Sequence, residues 1–225
     1  MHNKAVLIMA KAPQPGFVKT RLEGRLTPAQ CARLYECFLF DIVDCALDSG
    51  FNVNIALTPG ELAGAFNNLV PSSVCVFPQE GCDLGQRMSS AADHLFHRGC
   101  SRCVIIGADI PTIQPGHLKL AMTSLETNDI CIGPATDGGY YLVGLNRPCP
   151  ELFAGITWGT EQVLQETEDR IQIHGMTGFL LPELNDIDYW DDLVRLYKEF
   201  DDKELLRERE PLRTKKFLDS LFLEI

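Results

Sequence analysis

Along the chain, short apolar runs rich in β-branched residues alternate with stretches whose apolar residues recur every three to four positions. Lys4 to Ala10 (KAVLIMA) is the first such run, and its composition predicts a strand. Thr27-Pro28-Ala29-Gln30 then reads as a helix start: an N-cap hydroxyl, a proline at the first helical position and a glutamine able to close a capping box. Cys31, Leu34, Phe38, Ile42 and Cys45 follow at helical spacing, and Gly50 ends the helix. Phe51 to Leu57 alternates as a second strand, Ser73 to Phe77 makes a short third, and Leu84 to Arg98 a helix. Cys103-Val104-Ile105-Ile106 runs on into Gly107-Ala108-Asp109-Ile110-Pro111, and its unbroken apolar character marks a strand covered on both faces. Beyond it the pattern predicts a helix near Pro115–Leu125 and paired strands at Asp129–Pro134 and Tyr140–Leu145. Glu161–Glu168 reads as a helix, Ile171–His174 as a short strand and Tyr189–Phe200 as another helix. The charged, amphipathic stretch 201–225 predicts a peripheral helix.

Alternating strands and helices imply an α/β layer sandwich around a mostly parallel sheet. The Asp129–Leu145 strand pair is where parallel order is expected to lapse, giving a mixed sheet. No repeat or low-complexity linker divides residues 1–225, so they are read as a single domain.

With 45% hydrophobic and 23% charged residues, the chain can bury a core. Its net charge of −11 argues against a general nucleic-acid binder. An anionic substrate then requires a local basic site or a metal ion. No apolar leader follows Met1 and no stretch approaches the roughly 20 residues that span a bilayer, so a cytoplasmic location is expected. The nine cysteines, several within apolar patterns, read as buried thiols in a reducing compartment. Cys100-Ser-Arg-Cys103 has no second pair at zinc-site spacing and precedes a strand rather than opening a helix. The five histidines form no triad pattern with Ser or Cys, which removes support for hydrolase-type nucleophilic catalysis.

Candidate chemistry lies where strands end. Asp109 stands just beyond a buried strand, in the crevice position of open α/β sheets, and is either a turn or cap former or a ligand for metal or phosphate. The loop after the first strand runs from Ala10 and Lys11 through Pro15 and Gly16 to Lys19 and Arg21. Its glycine turn and clustered cations suit a pyrophosphate, although a solvated basic loop would look the same. It is neither GxGxxG nor a Walker motif.

Gln79-Glu80-Gly81-Cys82-Asp83-Leu84-Gly85-Gln86-Arg87 opens a helix. Gln79 and Arg87 bring planar hydrogen-bonding groups, Gly81 and Gly85 allow close approach, and Asp83, just before Leu84, reads as the N-cap. Asp137-Gly138-Gly139-Tyr140 puts a carboxylate, two glycines and an aromatic between strands, where Asp-Gly also serves as a hairpin turn. Trp158 and Thr160 are candidates for an acceptor pocket wall, with Thr160 equally able to cap a helix. Asp186 and Asp188 precede the late helix. Like carboxylates held together ask for a cation, and oxygen-only ligands favour Mg²⁺ or Mn²⁺ over zinc.

Taken in order, PQPGFVKTRL, QEGCDLGQRM, VIIGADIP, GPATDGGYYLVGL, WGTEQVL and LNDIDYWDDL resemble a bacterial, glycosyltransferase-like branch of the GT-A-type nucleotide-diphospho-sugar transferases. Some members of that branch are linked to arsenosugar biosynthesis. The resemblance spans roughly residues 4–198 and extends more distantly to guanylyltransferases and sugar nucleotidyltransferases. It implies a single GT-A, Rossmann-like domain. Asp109 would be the metal-binding Asp after the central strand, with Asp188 as the second metal carboxylate and Asp186 beside it. Lys19 and Arg21 would contact phosphate, and the Asp83-Leu84-Gly85 segment would lie at the nucleotide base. The implied activity is metal-dependent glycosyl transfer from a nucleotide-diphospho-sugar to a small acceptor, with Asp137 contacting the sugar or acceptor. Nucleotidyl transfer from an NTP is the alternative, and a non-catalytic nucleotide-binding module a third. The first loop lacks the glycine-rich, arginine-methionine signature of sugar nucleotidyltransferases, which favours the glycosyl reading.

Overall fold

Val6, Leu7 and Ile8 have no solvent exposure, which places the first strand in the interior of the sheet. The computed structural model describes residues 3–200 and 206–223. Its elements in chain order are β1 (Asn3–Lys11), α1 (Pro28–Asp48), β2 (Asn52–Thr58), α2 (Ala63–Phe66), β3 (Cys75–Pro78), α3 (Leu84–His97), β4 (Cys100–Ile106) and α4 (Pro115–Ser124). They continue with β5 (Ile130–Pro134), β6 (Tyr140–Leu145), α5 (Pro150–Phe153), α6 (Val163–Ile173), β7 (Gly178–Leu180), α7 (Trp190–Glu199) and α8 (Leu212–Leu223). The seven strands form one sheet in the order β3-β2-β1-β4-β6-β5-β7. β6 runs antiparallel to both its neighbours, β4 and β5, while the other pairings are parallel. The sheet is therefore the mostly parallel, mixed one that the pattern predicts, with helices on both faces.

Side chains alternate across β1. Val6 and Ile8 pack with Tyr35, Leu39 and Ile42 of α1 and Leu118 of α4, whereas Ala5 and Leu7 pack with Met88 and Leu95 of α3 and Leu152 of α5. Burial on both faces is why this strand is a continuous apolar run. Thr27 and Gln30 make the expected capping box, and Asp83 caps α3 by accepting the Gln86 N–H at 2.8 Å.

The strand expected at Ile171–His174 is a correction. Those residues complete α6, which runs on to Ile173, and the strand lies later, at Gly178–Leu180. Ile173 is 70% exposed, so its apolar side chain carries no burial signal. Gly175, in the left-handed region at φ 63°, ends the helix instead. In the tail, 201–205 lie outside the described residues. Leu212–Leu223 forms α8, which packs on α1 and buries Leu218 and Leu221.

Candidate active site

The strand order sends β2 to one side of β1 and β4 to the other, and a crevice opens at such a switch point beyond the strands' carboxyl ends. A cavity of about 980 Å³ lies there, reached by Ala10 and Lys11 of β1, Thr58 of β2, Gln79 after β3 and Gly107 and Asp109 after β4.

The loop after β1 turns at Gln14–Phe17, where the Phe17 N–H donates to the Gln14 carbonyl and Gly16 takes φ 79°. Pro15 and Gly16 form the exposed tip of this turn and do not reach the cavity wall. Lys19 does. Its backbone is left-handed, at φ 50°, and a single 3-10 turn, Thr20–Leu22, follows it. Its Nζ contacts a carboxylate oxygen of Asp109, lies 3.2 Å from Asp188 Oδ1 and donates to the Ile187 carbonyl. Burial alone would pull this ammonium's pKa down, but Asp109 and Asp188 outweigh it and hold the pKa above the usual lysine range. Arg21 pairs with the other oxygen of Asp188 and lies over the Tyr189 ring at 5.3 Å.

Main-chain pairing brings the two acid segments together across the sequence. The Ile187 N–H donates to the Asp109 carbonyl at 3.2 Å, while the Leu184 N–H donates to the Pro134 carbonyl at the end of β5 and the Leu184 carbonyl accepts the Thr136 N–H. Asp192 accepts the Asp188 and Tyr189 N–H groups at 3.1 and 2.7 Å, so it is an acid that starts α7. Asp186 is different. Burial and the nearby Asp137, Asp188 and Asp192 carboxylates push its pKa up to about 6.

Across the cavity, the Gln79 side-chain NH₂ donates to the Ala10 and Ala56 carbonyls at 3.0 and 2.8 Å, which leaves its oxygen as a hydrogen-bond acceptor. Arg87 Nε donates to the Gly81 carbonyl, and the guanidinium and Leu84 line the cavity. Gly85 sits behind this wall. A Cβ there would come within 2.7 Å of the Trp158 ring, so the glycine lets Trp158 close against α3. Trp158 meets Tyr140 edge-on, with ring centroids 6.3 Å apart. Gly138, at φ 85°, admits the Glu161 backbone where a Cβ would collide with it. Asp137 accepts the Gly139 N–H at 2.8 Å, a turn role, while its carboxylate remains exposed on the cavity wall beside Gly139. The Thr160 hydroxyl donates to the Thr157 carbonyl and also borders the cavity.

Tyr35 was not legible as a site residue. It sits within the buried face of α1, and its hydroxyl accepts the Lys11 N–H at 2.9 Å, bracing the first loop. Nothing in the helical spacing separates it from an ordinary core aromatic.

Among the described residues no three His, Cys, Asp or Glu side chains converge as a ready-made metal cage. Mg²⁺ does not need one, since one or two carboxylates plus substrate phosphates complete its shell. The Asp109 side chain is 51% exposed and Asp186 has acids rather than cations around it, so the donor set fits such an ion.

The chain belongs to the family described as "Uncharacterized protein conserved in bacteria (DUF2064)", whose model matches residues 42–160. It is similar to a crystal structure from Desulfovibrio desulfuricans G20 described provisionally as a nucleotide-diphospho-sugar transferase. Identity is 33%, TM-score 0.89, and the match covers 100% of this chain and 98% of that one. Two more distant structures share the fold. Mycobacterium tuberculosis Rv0371c, solved in complex with manganese, matches at 17% identity and TM-score 0.55 over 87% of this chain and 98% of its own. A cytidylyltransferase from Leptospira borgpetersenii matches at 17% identity and TM-score 0.55 over 98% and 95%. No curated protein matches the chain.

Proposed function

We propose that this protein is a divalent-metal-dependent transferase that takes a nucleotide-diphospho-sugar as donor and passes the sugar to a small acceptor. The observation that carries this reading is the meeting of Asp109 and Asp188 with Lys19 and Arg21 in a cavity beyond parallel strand ends. Asp109 and Asp188, with Asp186 beside them, would hold Mg²⁺ or Mn²⁺, which supplies positive charge for the departing nucleoside diphosphate. Lys19 and Arg21 neutralise the remaining phosphate charge. The base lies against Gln79, Leu84 and Arg87, and the sugar and acceptor lie toward Asp137, Tyr140 and Trp158. The description of the 33%-identical relative as a provisional nucleotide-diphospho-sugar transferase supports this substrate class. Free thiols at all nine cysteines fit a reducing, cytoplasmic setting. No helix of the described residues is long and apolar enough to cross a membrane.

Nucleotidyl transfer is the second reading, favoured by the fold shared with a cytidylyltransferase. Release of pyrophosphate from an NTP separates it from glycosyl transfer.

The direct test is thermal-shift screening of nucleotides and nucleotide sugars with and without Mn²⁺. A ligand present at 100 times its Kd should add about 2.7 kcal/mol of stability. Asp109→Ala should keep its fold and lose the metal-dependent part of the shift. An unchanged metal-dependent shift in that variant would reduce Asp109 to a turn former.

A further inference from the structure

In this structure Lys19 already occupies the role of counter-ion to the acids that the metal reading requires. Its Nζ touches Asp109, lies 3.2 Å from Asp188 and donates to the Ile187 carbonyl. The side chain is only 2% exposed against 51% for Asp109, so the ammonium lies behind the carboxylates as seen from solvent. The Phe38 ring closes the space beneath it, 5.5 Å from Nζ. The left-handed backbone of Lys19 is unfavourable for an L residue and persists only where its surroundings dictate it. Arg21 completes the arrangement on the far oxygen of Asp188. Two carboxylates and two cations therefore cancel.

A divalent cation arriving alone meets Asp109 and Asp188 already neutralised, with Asp186 beside them as the one acid of the three not paired to Lys19 or Arg21. A diphosphate arriving alone meets cations that are already paired. Arriving together, the two can exchange partners, the acids turning to the metal and the cations to phosphate, with no charge left uncompensated. We propose that Lys19 is a resident counter-cation that makes metal binding conditional on a bound diphosphate. This inference rests on the metal-nucleotide reading above. Lys19 thereby acts as a positioning residue before it acts as a phosphate ligand, and the metal enters with its substrate rather than ahead of it.

The experiment is Mn²⁺ binding to the full chain by electron paramagnetic resonance, with Mn²⁺ alone and with inorganic pyrophosphate, for the natural protein and Lys19→Met. The natural protein should bind Mn²⁺ weakly alone and at least tenfold more tightly with pyrophosphate. Lys19→Met keeps the side-chain length without the charge, and should bind Mn²⁺ alone at least tenfold more tightly than the natural protein. Its gain from pyrophosphate should shrink correspondingly. A purely structural lysine would give the opposite result, because its loss would loosen the site and weaken Mn²⁺ binding. Equal or weaker Mn²⁺ affinity in Lys19→Met, beside pyrophosphate-dependent Mn²⁺ binding in the natural protein, overturns this inference alone. Absence of Mn²⁺ binding to the natural protein under both conditions overturns the metal reading and this inference with it. Melting curves guard against loss of fold: Mn²⁺ should raise the Tm of Lys19→Met more than that of the natural protein. Should the variant not fold even with Mn²⁺, the natural protein decides, and Mn²⁺ affinity that does not change with pyrophosphate overturns the proposal.

Discussion

Asp186 sits partly buried among Asp137, Asp188 and Asp192, with its pKa pushed up to about 6 by burial and by those neighbours. Lys19 and Arg21 are engaged with Asp109 and Asp188 and leave this acid to its like-charged surroundings. A carboxyl whose folded pKa exceeds its unfolded value of about 3.9 works against folding once pH rises through that interval, because the unfolded chain releases the proton more easily. Asp186→Asn should therefore stabilise the metal-free protein at pH 8. Solvent screening at this half-exposed site keeps the gain to about 1 kcal/mol, or roughly 2–4 °C in Tm. The gain should shrink as pH falls through 6 and vanish near pH 4, where aspartate is protonated in both states. Melting curves taken in chelator across that range check it, and a gain that is flat with pH would mean that charge repulsion is not its source. Relieving a destabilising charge at a site of this kind commonly reduces function, so the same variant should bind Mn²⁺ with pyrophosphate less tightly.

At the scale of elements, the cavity wall depends on how closely α3 approaches the segment after α5. Gly85, in the first turn of α3, would place a Cβ 2.7 Å from Trp158 and 2.9 Å from the Phe153 carbonyl. Neither neighbour is a flexible chain end, so Gly85→Ala should push Trp158 away and lower its contact with Tyr140. Intrinsic tryptophan fluorescence should shift, and affinity for the nucleotide sugar found by screening should fall several-fold. A wild-type spectrum together with wild-type affinity would show that the wall is not braced there. Such close approaches are only half readable in a sequence. Gly85, two positions after Asp83, signals permissive backbone, and the Asp83 cap and the Thr27–Gln30 capping box are local chemistry that the residues themselves specify. Cys103–Ile106 was equally legible, because burial on both faces leaves no polar position in the run. What was not legible depends on long-range partners. The lapse of parallel order at the Asp129–Leu145 pair was legible, but nothing near Tyr140 says that β6 takes β4 as its other neighbour, and nothing near Lys19 says that its ammonium points at acids 90 and 169 positions away rather than into solvent. The misplaced strand at Ile171–His174 has the same origin: two β-branched residues alternate, but the tertiary setting buries neither as a strand would.

In the molecule as a whole, the charged cluster rests on an apolar plug separate from the two faces of the sheet. Leu22, directly after Arg21, packs with Leu34 and Phe38 of α1, with Ile187 between Asp186 and Asp188, with Leu193 and Leu196 of α7 and with Leu218 and Leu221 of α8. The cations and the late acids therefore share one support. α8 is fastened to it by Asp41 of α1, a buried carboxylate that accepts the Arg213 and Thr214 N–H groups at 3.2 and 2.8 Å in the helix's first turn. Negative charge at a helix N-terminus is favourable, and here a neighbouring helix supplies it. Leu218 has no exposure, so Leu218→Ala should cost about 2–5 kcal/mol through lost burial and the cavity left behind. That corresponds to a fall in Tm of roughly 4–20 °C. Leu145 is equally buried but lies at the carboxyl end of antiparallel β6, away from the cavity, and packs in the cluster beneath α3 and α5. Leu145→Ala should lower Tm by a similar amount. The two variants should differ at 25 °C, well below either melting point. Leu218→Ala should weaken Mn²⁺–pyrophosphate binding because the plug that registers Lys19 against Asp188 has loosened, while Leu145→Ala should leave it unchanged. Equal affinities in both variants would show that the charged cluster holds its register without the plug, and that α8 contributes stability alone.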